Sequence, residues 1–580
     1  MQSDRLEVST EAVSAVEVVK RESGYLRGNL ASELGDGADH FSKESVQLLK
    51  HHGSYQQDDR DLRTRTVGGK SQKSFLFMVR TKIPGGKLTS EQLLAELSLG
   101  DEVGNTTLRI TSRQGLQLHG VLKGNLKEAI RRINEVQLTT FGACGDVERN
   151  VMCCPAPYRN EAYQAVQDLA AAINAHFTPR TRAYHELWLC DAYGKEQELV
   201  GGGEVPEIEP IYGEQYLPRK FKIAIGFPHD NCVDIYTHDL GFLAIVRDGR
   251  IAGYNVLVGG GMGVTPSAKK TFPALAKRMA FVKPDQAIGL AAAVVMVHRD
   301  FGNRCDRKVA RLKYLIHDWG IDRFRSKVEE YFGGRLADPE RDDVHGFSDH
   351  LGWEPQGDGR WFYGLNIENG RIKDGEPTQL KTAIRDICRT LRPGIRLTSH
   401  QSILFTDIEE AGRRRLQEVL RRHQVPWSEE VSTVRRWSMA CVARPTCGLA
   451  ITESERALPG VIDQMEKELA KLGLSAEKFT VRMTGCPNGC ARPYNADVGL
   501  VGKTRSKYSV FLGGRLLGDR LNFLYRDLVA EQEIVPTLLP VFAYYKQDRH
   551  DGETFGDFCH RKGRADLLTW AADHATSATA

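Results

Sequence analysis

Four cysteines in the C-terminal third of the chain occur as two close pairs. Five residues separate Cys441 from Cys447, three separate Cys486 from Cys490, and 38 residues lie between the pairs. A [4Fe–4S] cluster needs four thiolates in one small volume, and the glycines and proline of 485–490 favour tight turns around such ligands. Structural zinc is the alternative, although zinc sites usually place two to four residues between paired cysteines. The spacing therefore favours an electron-transfer cluster and leaves zinc open.

The remaining cysteines do not suggest a disulfide scaffold. Twelve cysteines in 580 residues are too few for one, and a reducing compartment would keep them as thiols. Isolated cysteines are expected as small buried apolar residues, as at Cys190, Cys232, Cys388 and Cys559. The adjacent Cys153 and Cys154 are unusual, and packing is the only role that the sequence suggests for them.

The bulk composition is that of a globular enzyme. Apolar residues make up 41% and charged residues 27%, and the formal net charge of +4 argues against a protein that coats nucleic acid. No apolar run approaches the ~20 residues that span a bilayer. The N-terminus has neither a secretory signal nor the composition of a transit peptide. These features predict a cytoplasmic protein that binds neither nucleic acid nor membrane.

The chain contains an internal repeat. Residues 108–114, Leu-Arg-Ile-Thr-Ser-Arg-Gln, recur at 395–401 as Ile-Arg-Leu-Thr-Ser-His-Gln. Around each copy, apolar periodicity predicts a strand, a helix, two strands and a second helix. Thr89 and Gln92 form a T-x-x-Q capping box at the start of the first such helix. Both regions are therefore predicted to be β-α-β-β-α, ferredoxin-like halves.

A second pair of similar segments, residues 254–260 and 508–514, both end in Gly-Gly. We predict an α/β (α+β) fold with pseudo-two-fold symmetry, in which two ferredoxin-like halves form one central domain beside two larger α/β domains. Active sites often lie where such domains meet. The predicted limits are an N-terminal arm at 1–65, half 1 at 66–145, a first large α/β domain at 146–345, half 2 at 346–425, and a second large α/β domain at 426–580, which contains the four cysteines.

The chain resembles the siroheme- and [4Fe–4S]-containing sulfite and nitrite reductases over nearly its whole length. The resemblance includes the cysteine motifs and the segments at 55–61, 113–114, 149–151, 216–222, 438–441 and 498–503. It implies siroheme and a [4Fe–4S] cluster as cofactors, with siroheme and substrate bound by the α/β domain at 146–345 and the [4Fe–4S] cluster and siroheme bound by the α/β domain at 426–580. It also implies that Cys441, Cys447 and Cys486 bind only the cluster, while Cys490 joins the cluster to the siroheme iron.

The resemblance also implies an anion-binding site. Sulfite is an oxyanion whose reduction consumes protons, so its site needs cations and proton donors, and Lys and Arg provide both. Lys220 and Lys222 are two residues apart, so in a strand they point to one face. The residues implied for substrate are Arg80, Arg149, Lys220 and Lys222. Those implied for the siroheme carboxylates are Arg109, Arg113 and Arg219, with Lys50, Arg304, Arg307 and Lys308 as weaker candidates. His119 and His400 are not assigned as ligands.

The expected activity is the six-electron reduction of sulfite to sulfide in assimilatory sulfur metabolism, for cysteine biosynthesis. A ferredoxin-dependent nitrite reductase is the alternative within the family, and Lys222 favours sulfite because nitrite-specific relatives tend to carry Asn there. A zinc-stabilised binding module is the alternative from another class.

The electrons are expected from a partner protein. The glycine-rich segment 259–264 departs from the dinucleotide pattern at Val264, so the chain is predicted to lack a nicotinamide or flavin site of its own. The N-terminal arm resembles the partner of an NADPH-oxidising flavoprotein, whereas 142–146 is closer to the ferredoxin-dependent type. We favour the flavoprotein, with ferredoxin as the alternative.

Overall fold

The fold was analysed in a computed structural model, which describes residues 12–65, 71–180, 186–190, 197–202 and 209–574. Within those ranges, helices long enough to cross a bilayer are not apolar enough to do so.

The N-terminal arm leads into the first ferredoxin-like half. The arm contains α1 (Ala15–Glu22), α2 (Leu30–Leu34), α3 (Lys43–Leu49), β1 (Ser54–Asp58), β2 (Thr64–Arg65) and β3 (Ser71–Gln72). The half contains β4 (Phe75–Thr81), β5 (Lys87–Leu88), α4 (Ser90–Glu102), β6 (Leu108–Ile110), β7 (Leu116–Val121) and α5 (Leu126–Glu135). The predicted capping box is confirmed: the Gln92 N–H donates to Thr89 Oγ1 at 3.2 Å, and the Thr89 N–H donates to Gln92 Oε1 at 2.9 Å.

The first large α/β domain follows. Its elements are β8 (Met152–Cys153), α6 (Glu161–His176), β9 (Glu186–Cys190), β10 (Gln197–Gly202), β11 (Ile223–Gly226), β12 (Leu240–Arg247), β13 (Arg250–Val258), β14 (Lys277–Val282), α7 (Ala287–Phe301), α8 (Leu312–Trp319) and α9 (Ile321–Phe332). The central strand β12 is buried over 240–245, as expected of an apolar strand covered on both faces.

The second half and the second large domain repeat this order. The half contains β15 (Gly352–Pro355), β16 (Trp361–Leu365), β17 (Arg371–Ile372), α10 (Leu380–Thr390), β18 (Gly394–Leu397), β19 (Ile403–Ile408) and α11 (Glu410–Arg422). The large domain contains α12 (Thr433–Arg436), β20 (Ser438–Ala440), α13 (Leu458–Leu472), β21 (Val481–Thr484), β22 (Val498–Thr504), β23 (Lys507–Leu512), β24 (Phe523–Ala530), α14 (Ile534–Asp548) and α15 (Phe555–Asp573).

The two ferredoxin-like halves exchange edge strands. The first sheet has the order β1-β4-β7-β6-β17, so its last strand comes from the second half. The second sheet has the order β15-β16-β19-β18-β5, so its last strand comes from the first half. Because each sheet is completed by the other half, the halves form one central domain, as the repeat predicted.

The two large sheets have the same topology. One has the order β8-β11-β12-β13-β14 and the other β20-β21-β22-β23-β24. In each, the first three strands are parallel and the last two pairings are antiparallel. Gly259 and Gly513 are the first glycines of the two Gly-Gly pairs, and both have φ of 89°, a value that favours glycine. The predicted pseudo-symmetry therefore extends to individual backbone angles.

Candidate active site

The two cysteine pairs follow neighbouring strands of one sheet. Cys441 and Cys447 lie in the loop after β20, and Cys486 and Cys490 lie in the loop after β21. Since β20 and β21 are parallel, their carboxyl ends meet at the same edge. The Cys441 N–H donates to the Met483 carbonyl at 3.2 Å, which continues the ladder to the first ligand. The sheet therefore brings the two sequence motifs together.

The sulfur atoms receive N–H groups, as cluster ligands do. The Gly485 N–H donates to Cys441 Sγ at 3.4 Å, and Asn488 Nδ2 donates to Cys486 Sγ at 3.3 Å. Burial and the nearby Cys490 raise the pKa of the Cys441 thiol and raise that of Cys486 to about 11. A bound metal cluster would stabilise the thiolates that this environment otherwise disfavours. The donor set fits an iron–sulfur cluster.

Two arginines donate hydrogen bonds to backbone carbonyls in or next to the loop that contains Cys441 and Cys447. Arg60 donates to the carbonyls of Pro445, Cys447 and Ala450 at 2.9, 2.7 and 2.8 Å. Arg109 donates to the Ala440 carbonyl at 2.9 Å and pairs with Glu455 at 2.8 Å. The structure thus places Arg109 against the strand that leads to Cys441, outside the lining of the cavity described next.

A cavity opens beside Cys490. It is lined by four of the predicted site residues, Arg113, Lys220, Lys222 and Cys490, and by Ser112, Met152, Thr237, His238, Met262, Gly263, Arg311, Asn488, Gly489 and Arg492. Residues from both halves of the chain meet here, and the excess of Arg and Lys makes the cavity basic.

The two lysines precede β11 and flank the buried Phe221. The Lys222 N–H donates to Asp239 Oδ2 at 3.0 Å, which fixes the backbone at this point. Burial, together with Arg219 and Arg311, lowers the pKa of Lys220 to about 7. Burial and Arg113 lower the pKa of Lys222 well below its usual range. Both shifts come first from burial and then from neighbouring positive charges, and a bound anion would oppose them.

Arg113 has unused hydrogen-bonding capacity beside the lysines. Its Nη1 donates to the Asn150 carbonyl at 2.8 Å, whereas its Nη2 is buried and has no partner among the described residues. Burial lowers the pKa of Arg113 to about 9. A buried guanidinium with a free donor fits a site for a carboxylate or an oxyanion, and siroheme carries several carboxylates.

Arg80 and Arg149 lie together in a second basic group that adjoins the cavity. Arg80 donates to Cys144 Sγ at 2.9 Å, and Arg149 donates to the Gly145 carbonyl at 2.8 Å. The charge of Arg149 reaches Lys220 and contributes to its lowered pKa. Arg219 lies 3.8 Å from Asp146. Arg149 and Arg219 therefore lie close enough to Lys220 to lower its pKa, whereas Arg80 adjoins Arg149 through Cys144 and Tyr55. None of these three arginines lines the cavity.

Two arginines that line the cavity, Arg311 and Arg492, were not predicted from the sequence. Arg311 pairs with Asp239 through two bonds of 2.9 and 2.7 Å, and Arg492 pairs with Asp234 at 2.5 Å. Arg492 lies two residues after Cys490, which was a usable signal, but nothing near Arg311 in the sequence marks it. The weaker candidates Lys50, Arg304 and Arg307 contact Gln47, Glu17 and Asp146 respectively.

The glycine-rich loop at 259–263 packs on the cysteine loop. The Val264 N–H donates to the Pro487 carbonyl at 2.9 Å, and a Cβ at Gly489 would lie 2.9 Å from the Met262 carbonyl oxygen. Gly489 also has φ of +63°, so only glycine suits this approach. The loop thus closes one wall of the cavity.

The two histidines left unassigned lie in the core. His119 is buried on β7, and neither of its ring nitrogens has a partner among the described residues. His400 packs on Phe347 and Trp437, with ring centroids 5.1 and 6.3 Å away.

Comparisons with known proteins match most of the chain. Residues 144–336 match the family described as nitrite and sulphite reductase 4Fe-4S domain, and residues 69–136 and 354–423 match the nitrite/sulfite reductase ferredoxin-like half domain. The sulfite reductase [NADPH] hemoprotein beta-component of Chromohalobacter salexigens is 44% identical over 561 residues, 96% of each chain. The sulfite reductase [ferredoxin] of Synechococcus elongatus is 43% identical over 569 residues, 95% of this chain and 90% of that one. The solved structure of Mycobacterium tuberculosis NirA aligns with a TM-score of 0.76 and 26% identity, covering 96% of this chain and 98% of that one.

Proposed function

Since the chain belongs to the nitrite and sulfite reductase family, we propose that its basic cavity binds sulfite beside a siroheme held through Cys490. The protein reduces sulfite to sulfide in assimilatory sulfur metabolism, with siroheme and a [4Fe–4S] cluster as cofactors. The observation that supports the proposed site is the convergence of Cys490 with Arg113, Lys220 and Lys222 on one cavity.

The residues around the cavity suit each demand of the reaction. When bound, the cluster and siroheme supply six electrons to sulfite, and the protein must supply cations and protons. Lys220 and Lys222 face the cavity from one strand end, and Arg113 keeps one donor free. In our proposal the two lysines bind the oxyanion and donate protons to its leaving oxygens, while the free donor of Arg113 binds a siroheme carboxylate.

The lowered pKa values suit proton delivery. A lysine with a pKa of about 7, such as Lys220, exchanges its proton readily at neutral pH. Lys222 is held more strongly in the neutral form, and an arriving anion would raise its pKa and draw in a proton. Substrate binding would therefore load the site with the proton that the next step consumes.

The other predicted residues receive supporting roles in this proposal. Arg80 and Arg149 extend the positive potential from the adjoining group and bind the anion with the lysines. Arg113 and Arg219 pair with siroheme carboxylates. Arg109 is held by Glu455 and Ala440, so we propose that any contact it makes to siroheme comes from the same side as the Cys441 loop. Cys441, Cys447, Cys486 and Cys490 bind the cluster.

Steady-state turnover tests the proposed substrate. With a chemical reductant, kcat/KM for sulfite should exceed that for nitrite, and sulfide should account for the sulfite consumed. A kcat/KM that favours nitrite by orders of magnitude would overturn the proposal. A colourless, zinc-loaded protein would contradict the cofactor assignment itself.

An electron-donor protein is required, and we propose an NADPH-oxidising flavoprotein. The hemoprotein relative that is 44% identical is named for NADPH, although ferredoxin appears in the name of another relative. The donor's docking surface would lie over the cluster, where Leu449 and Leu62 are 70% and 62% exposed. Leu449 follows Cys447 closely, and Leu62 is adjacent to Asp61, which pairs with Arg456 at 2.7 Å.

Reconstitution with each donor tests this part. NADPH-driven sulfite turnover should appear with the flavoprotein, and turnover only with ferredoxin would contradict the proposal. Leu449→Asp should raise the apparent KM for the donor and leave turnover with dithionite unchanged. Leu528→Asp is the matched control, because Leu528 is 48% exposed on β24.

A further inference from the structure

Four buried side chains that the proposed reaction does not use converge at a second place in the fold. They are Cys154, Asp230, Cys232 and His350, and their donor atoms all lie within 4.8 Å of one another. None of the four is more than 3% exposed. Cys154 directly follows β8, Asp230 and Cys232 lie in the connection between β11 and β12, and His350 precedes β15.

The donor atoms face a common point. Cys154 Sγ lies 2.9 Å from Asp230 Oδ2 and 3.6 Å from His350 Nε2, and those two atoms are 3.0 Å apart. The other carboxylate oxygen, Asp230 Oδ1, accepts the N–H groups of Cys232 and Ser348 at 3.2 and 3.1 Å. The backbone thus fixes Asp230 so that Oδ2 points toward the sulfur and the imidazole.

We propose that these four side chains bind a structural Zn²⁺ ion. Two thiolates, an imidazole and a carboxylate form a tetrahedral donor set that zinc prefers, with bonds of about 2.0 to 2.3 Å. Such bonds place neighbouring donors about 3.3 to 3.8 Å apart, so Asp230 Oδ2 would move by roughly half an ångström away from Cys154 Sγ and by less from His350 Nε2. The fourth donor, Cys232 Sγ, lies within 4.8 Å of the other three. Binding releases three protons to solvent, one from each thiol and one from the His350 imidazolium, because zinc binds thiolates and neutral imidazole.

A metal-free hydrogen-bonded network is the competing explanation. It would bury an aspartate–histidine ion pair beside two thiols, and buried ion pairs often repay their desolvation poorly. The metal gives all four donors a shared partner and offsets their charge. Because all four positions are filled by protein, the site has no open position for substrate and is structural.

The position of the site suggests what the ion would stabilise. Cys154, Asp230 and Cys232 belong to the first large α/β domain, whereas His350 belongs to the segment that enters the second ferredoxin-like half. One zinc ion would therefore tie the two parts together across nearly 200 residues of sequence. Its ligands are separate from the four cluster cysteines, so zinc and iron can be removed independently.

Metal analysis of the holoenzyme tests the proposal. Protein purified with its siroheme and cluster should contain one zinc per chain in addition to its iron. The double variant Cys154→Ser/Cys232→Ser should lose the zinc and keep the iron and the visible spectrum. Cys388→Ser is the matched control, since Cys388 is an equally buried thiol on α10. Zinc that persists in the double variant would overturn the assignment, as would wild-type protein that binds none after anaerobic incubation with zinc.

X-ray absorption at the zinc edge keeps the test independent of variant folding. Wild-type holoenzyme should show two sulfur neighbours at about 2.3 Å and two nitrogen or oxygen neighbours at about 2.0 Å. A shell of four sulfurs would mean that zinc occupies the cluster cysteines, and a shell without sulfur would mean adventitious surface binding. Either result would refute the proposed site.

Discussion

The connections that precede β11 and β21 have the same backbone arrangement but carry different side chains. In the first, the Lys222 N–H donates to Asp239 Oδ2 at 3.0 Å. In the second, the Thr480 N–H donates to Asp497 Oδ2 at 2.9 Å. The Thr480 hydroxyl also donates to Asp497 Oδ2, at 2.7 Å, so this side chain contacts its own α/β domain and does not reach the cavity. Lys222 instead extends into the cavity.

The partners of the two aspartates differ accordingly. Asp239 pairs with Arg311 through two bonds, so the first half carries additional positive charge to the cavity wall. Asp497 has no such cation among the described residues, and burial raises its pKa. Residues 1–345 therefore supply most of the cations that line the cavity, whereas residues 346–580 supply Arg492 and the thiols.

The repeat that the sequence analysis found shows the same division. Arg113 and His400 are equivalent in the two copies, yet Arg113 lines the cavity and His400 packs on Phe347. Arg492 joins the copies, because it donates to the carbonyls of Ser112 and Ser399 at 3.0 and 3.1 Å. The two copies therefore share their backbone structure, and they differ in the side chains that contribute to the cavity.

Removing the thiol that the second half contributes to the cavity should have the largest effect. In Cys490→Ser, sulfite turnover should fall to background, because this residue is proposed to join the cluster to the siroheme. Absorption spectra, iron content and sulfide production measure the loss. Cys559→Ser is the control, since Cys559 is buried in α15 far from the motifs in sequence. An unchanged spectrum and full activity in Cys490→Ser would contradict the assignment.

Replacing Lys222 with a neutral residue, as Thr480 is at the equivalent position, should have the next largest effect. Lys222→Asn removes a buried amine that is expected to take up a proton when the oxyanion binds, and the variant should lower kcat/KM for sulfite by roughly 100-fold, with a smaller loss for nitrite. Lys478→Asn is the control, because Lys478 occupies the position equivalent to Lys220 and is exposed. Equal losses for both substrates would argue against a role in specificity.

The pH dependence of sulfite reduction should report Lys220. Its pKa of about 7 means that the ammonium is present below that pH and is lost above it. We therefore expect kcat/KM for sulfite to fall by about tenfold per pH unit above the midpoint, because kcat/KM reports the pKa of the free enzyme. Lys220→Arg keeps its charge at all these pH values and should remove this limb, whereas the ionisation of sulfite itself remains. The same limb in both proteins would assign it to another group.

The sequence revealed the parts of this molecule that depend on local patterns. The β-α-β-β-α halves, the capping box at Thr89 and the duplication all follow from periodicity and repeated residues. The exchange of β5 and β17 could not be predicted, because two-residue edge strands leave no periodic signal.

The site shows the same limit. Lys220 and Lys222 were found through the family resemblance, and four cysteines through their spacing. Arg311 was missed because its partner Asp239 is 72 residues away. Cys154 and Cys232 were taken for packing residues because their convergence with His350 is a property of the tertiary fold alone.

The smallest expected difference is between the stabilities of variants at the two aspartates. Asp239→Asn leaves Arg311 buried without a charged partner and should cost about 3 kcal/mol of the free energy of unfolding. Asp497→Asn should cost about 1 kcal/mol or less, because the amide oxygen can still accept from Thr480 and burial already disfavours the charged carboxylate. Because the folded state raises the pKa of Asp497, that carboxylate destabilises the fold most at neutral pH, and the penalty fades as the pH falls through its pKa. Chemical denaturation of the two variants at pH 7 measures the difference, and equal losses would mean that the two halves use these aspartates in the same way.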